Sequence, residues 1–349
     1  MKSDYIKGLK KFISKWEFVL FLILVAEFII FGGVNFEKFM RIESIFSSIN
    51  NYISIGIISL FVTFVMITGG IDIQASSIVG LTSIIIGVLW SDVGLNIWLA
   101  VILAIITAGL CGTLSGFLIA YFNVQPMVVT LGGSFLYSGV ALLISSLSKT
   151  PAYQGISGFP AKNEFGDFVS FRALGKTVLF NKVPIQLVIY AVLIIICYLL
   201  LHKSKYGRKV FLVGVNQQAA ELSGINSRKI IMSTYTLTGI GAAIAGVLLT
   251  ANVDSAKYNL GSTFTLSIIT AVVLGGTLST GGKGNIIGTA VAAIIICIMR
   301  YGLPLCFGIS IQNVDLPIGI MLVVVVAGRA ILSNSKVLAF LKHKNKTTR

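Results

Sequence analysis

Along most of this chain the apolar positions do not alternate with polar ones but run on for a full helix at a time. Ten such runs can be marked, at 17–33, 47–68, 73–90, 96–120, 127–147, 184–202, 230–251, 262–277, 285–301 and 314–332. A helix needs about 20 apolar residues to cross the hydrocarbon of a bilayer. The pattern therefore predicts an all-α, polytopic transmembrane bundle of about ten helices, built as a single domain over 1–349. The third, eighth and ninth runs are short or rich in glycine and read as broken or re-entrant helices. The first run follows a basic stretch, as a secretory leader would, but no A-x-A-like cleavage site follows it, so it is expected to be a retained span.

Two of the polar interruptions are alike. VMITGGIDIQASSIVGLTSI (65–84) and VVLGGTLSTGGKGNIIGTAV (272–291) each place an apolar run, a Gly-Gly pair, a short polar stretch and a new apolar run in that order. Gly69-Gly70 answers Gly275-Gly276, and Gly80 loosely answers Gly288. Glycine-interrupted segments at corresponding places in two halves of a membrane protein point to a transport pathway. Glycine lets the backbone turn and helices approach closely, and Asp72 or Ser76 is suited to cap the helix that follows. Non-helical backbone is tolerated at membrane depth only inside protein or beside water. Thr68, Gly69, Gly70, Asp72, Gln74, Ser76, Ser77, Gln125, Thr130, Ser134, Thr270, Gly275, Gly276 and Thr277 are thus candidates to line a pathway. That set is polar without a cluster of charge and suits a neutral, hydroxyl-rich solute. Simple helix-hairpin turns with small-residue packing would give the same pattern.

Composition supports the membrane assignment. The chain is 56% hydrophobic and 11% charged, against about 25% charged in ordinary soluble domains. The net charge of +15 would suggest nucleic acid in a soluble protein. Here the bases lie between or beyond the apolar runs, as cytoplasmic loops of membrane proteins do, and no nucleic-acid partner is expected. Residues 1–15 carry five lysines against Asp4, residues 203–229 carry six bases against Glu221, and residues 329–349 carry six bases and no acid. All three are predicted to be cytoplasmic. Ten crossings put both termini on one side, and six crossings put 203–229 on that side too. Trp90 and Trp98 flank the outer turn at 91–95, where interfacial indoles belong. Residues 148–183, rich in glycine and proline, form the longest outer segment, in which short helices or turns are expected.

Few residues could do covalent chemistry. The nearest approach to a phosphate-binding loop, GGTLSTGGKG (275–284), has Thr277 where the first glycine belongs and Gly284 where Ser or Thr should follow Lys283. Neither H-E-x-x-H nor G-x-S-x-G occurs. Cys111, Cys197, Cys297 and Cys306 lack metal-type spacing, and nothing suggests a cofactor. Glu27 is the one mid-span carboxylate that could relay an ion. A neutral carboxyl bonded to a neighbouring helix accounts for it equally.

The inner loop YGRKVFLVGVNQQAAELSGINSRK (206–229) contains a short helix by its own grammar. Asn216 is placed to cap it, Ala219, Ala220 and Leu222 give it an apolar face, and Gly224 ends it. With Arg208, Glu221 and Ser223 it would present a small amphipathic surface to another protein.

TGGIDIQASS, QPMVVTLGG, YGRKVFLVGVNQQAAELSGI, AVVLGGTLSTGGKGNIIGT and VVVVAGR resemble, in the same order, motifs of the branched-chain amino acid/ribose class of ABC importer permeases. The resemblance covers about residues 45–330. Within the class, FGGVN, GGIDI, YQGISGFP, GRKVFLVG and VVVVAGR are most similar to permeases of autoinducer-2 importers, although sugar permeases share most of the scaffold. The resemblance implies a type II importer permease in the cell membrane that pairs with a second, homologous permease. It further implies two cytoplasmic ATPase subunits that hydrolyse the ATP, a solute-binding protein on the outside, and a coupling helix at 216–224 seated in the ATPase. One departure stands out: Gln74-Ala75-Ser76-Ser77 replaces the family's Ser-Val-Gly-Ser. Two other functions remain open on the residues alone, an ion-coupled carrier using Glu27 and a permease for a plain monosaccharide.

Overall fold

The computed structural model describes residues 16–160, 170–179 and 183–333, with side chains to residue 327. The lysine-rich stretch 1–15 and the basic tail beyond 333 lie outside the described residues, as do parts of the outer segment. Fourteen α-helices are described: α1 Trp16–Val34, α2 Phe36–Phe39, α3 Ile42–Ile67, α4 Ala75–Ser91, α5 Ile97–Phe122, α6 Pro126–Leu147, α7 Ala173–Lys176, α8 Ile185–Tyr198, α9 Lys205–Val215, α10 Gln217–Leu222, α11 Ser227–Val253, α12 Thr265–Leu274, α13 Ile286–Phe307 and α14 Asp315–Ser333. A π-helical turn, Leu199–Lys203, continues α8. Seven helices are long and apolar enough to cross a membrane, namely α1, α3, α5, α6, α8 with its π turn, α11 and α13; α4, α12 and the 311–327 stretch are shorter apolar helices. Each of the ten predicted runs corresponds to one of these ten.

α3 is the axis of the bundle. Every residue from Ile53 to Ile67 is buried, as expected of a helix apolar on all sides. It packs against α11, α13, α12 and α8. Its hydroxyls spend themselves locally and across helices: Ser59 Oγ donates to the Ile55 carbonyl at 2.7 Å, and Thr63 Oγ1 lies 3.1 Å from Thr289 Oγ1 on α13. α5 and α11 form the most extensive helix pair, and small residues make it possible. A side chain at Gly112 would strike the carbonyl of Tyr235, and one at Gly239 would strike that of Ala108. Close backbone approach of this kind replaces the hydrophobic drive that helices lack in lipid. α6, by contrast, turns Val128, Leu131, Phe135 and Leu143 outward. Toward the end of the chain, Arg300 of α13 is buried, donates to Ser267 Oγ of α12 at 2.8 Å and pairs with Asp315 at the start of α14.

The glycine pairs end helices; they do not break them. α4 is an unbroken helix of 17 residues, and α13, expected to be short, runs unbroken for 22. The eighth run behaves differently. Only Thr265–Leu274 of 262–277 is helical, and it is reached by non-helical chain that descends beside α4. Ala256 lies against Gly87, Tyr258 and Leu260 against Gly80, Gly261 against Val79, and Thr265 is bonded to Ser76 at 2.6 Å. The contacts walk from near the outer-turn end of α4 to its first turn. At about 1.5 Å per residue, the stretch from 256 to 265 therefore runs roughly 16 Å along α4 without forming a helix. Glycine at 80 is required, because any side chain there would meet the Tyr258 carbonyl.

The described residues between α6 and α8 fold back on the rest of the chain. Ile156–Ser157 pairs antiparallel with Ser255–Ala256, and Val178–Leu179 with Val183–Pro184. Phe159 packs at a tilt against Trp90 and Phe171, and Phe171 also meets Trp98 edge-on. Arg172 and Lys176 reach Asp254 at 2.7 and 3.6 Å. Trp90 and Trp98 thus hold this segment against the ends of α4 and α5.

Candidate translocation and coupling site

The two glycine-marked helix ends share one geometry. After α3, Gly69 takes φ +85°, its N–H bonds Met66 O at 3.0 Å, and Gly70 N–H bonds Val65 O at 3.1 Å. After α12, Gly276 takes φ +107°, its N–H bonds Val273 O at 3.1 Å, and Thr277 N–H bonds Val272 O at 3.2 Å. This is the left-handed glycine cap that closes many helices. The structural equivalence is therefore Gly69 with Gly276, one position away from the pairing that the sequence suggests, because Thr68 and not a glycine occupies the cap itself.

The two ends also touch. Gly282 N–H donates to the Ile67 carbonyl at 2.8 Å, one of the last carbonyls of α3 that the helix cannot satisfy itself. Gly214, in the last turn of α9, packs on the same carbonyl so closely that any side chain would collide with it, and a side chain at Gly281 would fall 3.0 Å from the Gly214 carbonyl. Three backbones meet at this point: the end of α3, the loop between α12 and α13, and the end of α9. α10 follows α9 immediately.

α10 has the ends read from its sequence. Asn216 Oδ1 accepts from Ala219 N–H at 2.9 Å. Gly224, at φ +78°, closes the helix, with Gly224 N–H on Glu221 O and Ile225 N–H on Ala220 O. Its apolar face is not as expected. Ala220 alone turns inward, while Ala219 is exposed and Leu222 is 90% exposed. Arg208, Asn216, Glu221, Ser223 and Gly224 are exposed as well. The helix holds on by one alanine and offers a leucine to the outside.

The first polar stretch is folded inward. Asp72 is buried and its Oδ1 accepts from Gln74 N–H at 3.0 Å, so it serves the start of α4 from two residues before the cap. Ser76 does not cap; its hydroxyl meets Thr265. Gln74 is fully buried under Gly133, and its Oε1 accepts from Ser115 Oγ at 2.7 Å. Ser77 bonds Ser134 at 2.8 Å, and Thr130 Oγ1 donates to Ile71 O at 3.0 Å. α4, α5 and α6 are thereby tied together at one level, with Tyr137 donating to the Cys111 carbonyl at 3.0 Å. Asp72 Oδ2, Gln74 Nε2, Tyr235 Oη, Thr270 Oγ1 and Thr277 Oγ1 are buried without a partner among the described residues. Gln125 stands apart, exposed in the α5–α6 turn. It shares a cavity of about 260 Å³ with Thr68, Gly69, Gly70, Gln217 and Tyr235. Gly275 is buried against the start of α13, where Gly288 meets its carbonyl.

Most of the candidate pathway residues are therefore enclosed within this chain. The polar side chains left open at the depth of α4 are others, Asn259, Ser262 and Thr263 on the descending stretch. The signal was present in KYNLGSTFT (257–265), a small polar run that enters the eighth apolar run at 262, but nothing local in it shows that it lies against α4. Glu27 is buried in α1 with Oε2 unpartnered among the described residues, and no ion pair there involves it. No group of three or more potential metal ligands occurs among the described residues.

Comparison with known proteins gives a consistent result. The family model described as branched-chain amino acid transport system / permease component matches residues 44–326. The chain is 38% identical over 316 residues to the autoinducer 2 import system permease protein LsrD of Escherichia coli (strain K12), which covers 90% of this chain and 92% of that protein. The proteins of the same name from Escherichia coli O157:H7 and Shigella flexneri match with the same identity and coverage. No solved structure matches the chain significantly.

Proposed function

Because the chain belongs to the family of branched-chain amino acid transport system permease components, a family of multi-pass membrane proteins, we propose that it is one membrane-spanning half of an ATP-driven importer that carries autoinducer-2 or a closely related small sugar-like molecule into the cell. The relatives at 38% identity carry that solute in their name. Apart from Asp72, Glu27 and the Asp315-paired Arg300, the buried polar groups of this chain are amides and hydroxyls, which suits a neutral hydroxylated cargo better than an ion.

In this reading a second, homologous permease completes the pathway, two ATPase subunits sit below, and a solute-binding protein delivers from the other side. The bases of 1–15, 203–229 and 329–349 put both termini and α10 on the cytoplasmic face. α10 is the coupling helix, with Leu222 and Glu221 the residues an ATPase cleft would hold. The observation that carries the proposal is the three-way contact at Ile67, Gly214 and Gly282. A shift of α9 cannot leave the end of α3 and the loop between α12 and α13 where they were, because their backbones are in direct contact. ATP-driven closure of the ATPases would bias the bundle between two arrangements by differential binding, as any such switch requires.

The test is uptake of labelled autoinducer-2 into vesicles holding this chain with its partner permease and ATPases, supplied with the binding protein. Uptake that needs internal ATP supports the proposal. Uptake driven by an ion gradient with no ATPase present overturns it and returns attention to Glu27.

A further inference from the structure

Asn259, Ser262 and Thr263 present a problem that the isolated chain does not solve. The stretch that carries them is non-helical, and it runs alongside Gly80 and Val79 of α4, well below the outer end of that helix. All three are exposed; Ser262 N–H donates to the Asn259 carbonyl at 3.2 Å, but none of the three side chains forms a hydrogen bond among the described residues. Irregular backbone and unpaired polar groups do not face hydrocarbon; at membrane depth they face protein or water. The inner side of the stretch is already occupied by α4, held by Ser83 Oγ accepting from Lys257 N–H at 3.2 Å and by the Ser76–Thr265 pair. The open side must therefore look into water or onto another subunit.

We propose that Asn259, Ser262 and Thr263 line the passage and bind the hydroxyls of the transported solute, an inference that rests on the importer reading above. The three side chains are neutral, and each both donates and accepts hydrogen bonds. That is the chemistry that recognises a small polyhydroxylated molecule and gives no grip to a bare ion. The left-handed Gly261, at φ +80°, turns the chain between Asn259 and the Ser262–Thr263 pair, so the donors come from both sides of a bend. Leu266, exposed one turn further along α12, would supply an apolar edge beside them.

Single cysteines at Asn259, Ser262 and Thr263 in the assembled importer test this against Phe135→Cys on α6, whose native side chain is 72% exposed among outward-facing aliphatic residues. A charged, membrane-impermeant thiol reagent should modify the three and leave Phe135→Cys at the background of the native cysteines. Autoinducer-2 delivered by the binding protein should slow the modification. Thr263→Val should lower uptake about tenfold, the loss of about one hydrogen bond, while Thr263→Ser should restore it. Failure of all three cysteines to react, or reaction without protection and normal uptake by Thr263→Val, would overturn the proposal. If uptake proves independent of ATP while protection persists, the importer reading falls and the solute contact stands.

Discussion

The carbonyl of Ile67 receives the amide of Gly282 at 2.8 Å, joining residues from opposite halves of the chain. α3 ends there, the loop leading to α13 turns there, and Gly214 closes the group from the end of α9. The joint is made of backbone, so it has little room to yield. Conformational change in packed interiors tends to jump between discrete arrangements rather than stretch smoothly.

Gly214→Val should disrupt this joint. The new side chain would be driven against the Ile67 carbonyl, and overpacking typically costs about 1–3 kcal/mol. Solute uptake should fall at least about tenfold, as expected for 1.4 kcal/mol or more, and the protease sensitivity of the 203–229 loop should rise. Uptake equal to the unchanged protein would mean that the joint plays no part in coupling.

Leu222→Glu should behave in the opposite way toward stability. Leu222 is 90% exposed, so the melting temperature of the purified chain should stay within the small range of surface substitutions, about ±0.5 kcal/mol. Co-purification of the ATPase and solute uptake should both be lost. Retained ATPase binding would remove α10 from the interface.

Gln74→Leu deprives Ser115 of its acceptor while filling a similar space beneath Gly133. A buried polar group left unpaired costs about 1–3 kcal/mol. Part of that is offset, because Gln74 Nε2 already lacks a partner. The melting temperature in detergent should drop, and Gln74→Leu combined with Ser115→Ala should recover much of the loss. An additive pair would show that the two residues do not interact.

Asp92 accepts from Ser148 Oγ at 2.6 Å and Lys149 N–H at 3.1 Å, tying the α4–α5 turn to the chain that follows α6. A slight desolvation pushes its pKa up, but the bonds from Ser148, Lys149 and Ser91 outweigh it and hold the carboxyl below its ordinary value. The folded state thus binds the Asp92 proton less tightly than the unfolded state. The contribution is present above the unfolded pKa and is lost as pH falls through the folded one. Asp92→Asn should therefore flatten the acid side of the stability curve of the purified chain and leave the neutral side lower. Identical curves for the two proteins would contradict this.

What could be read in the sequence was whatever depends on long apolar runs and local caps. The ten runs, the cap at Asn216 and the stop at Gly224 follow from hydropathy and short-range hydrogen bonding, and each has its counterpart in the fold. The two glycine pairs were visible as a repeat. Their true register was not, because Thr68 can end α3 as well as Gly275 ends α12. Burial of Gln74, Ser76 and Thr130 was also hidden, since a polar residue between two spans looks the same whether it faces water or Ser115. The placement of Asn259, Ser262 and Thr263 is hidden for a related reason. Only tertiary contacts with Gly80 and Gly87 reveal that the chain before α12 runs along α4.

The most direct test of the account is transport itself, measured as labelled autoinducer-2 accumulating in sealed vesicles that contain this chain. With the second permease and the ATPases in the membrane, ATP inside and the binding protein outside, accumulation should exceed equilibrium and should vanish when ATP is withheld. Uphill accumulation by this chain alone, powered by a proton or sodium gradient, would contradict the account.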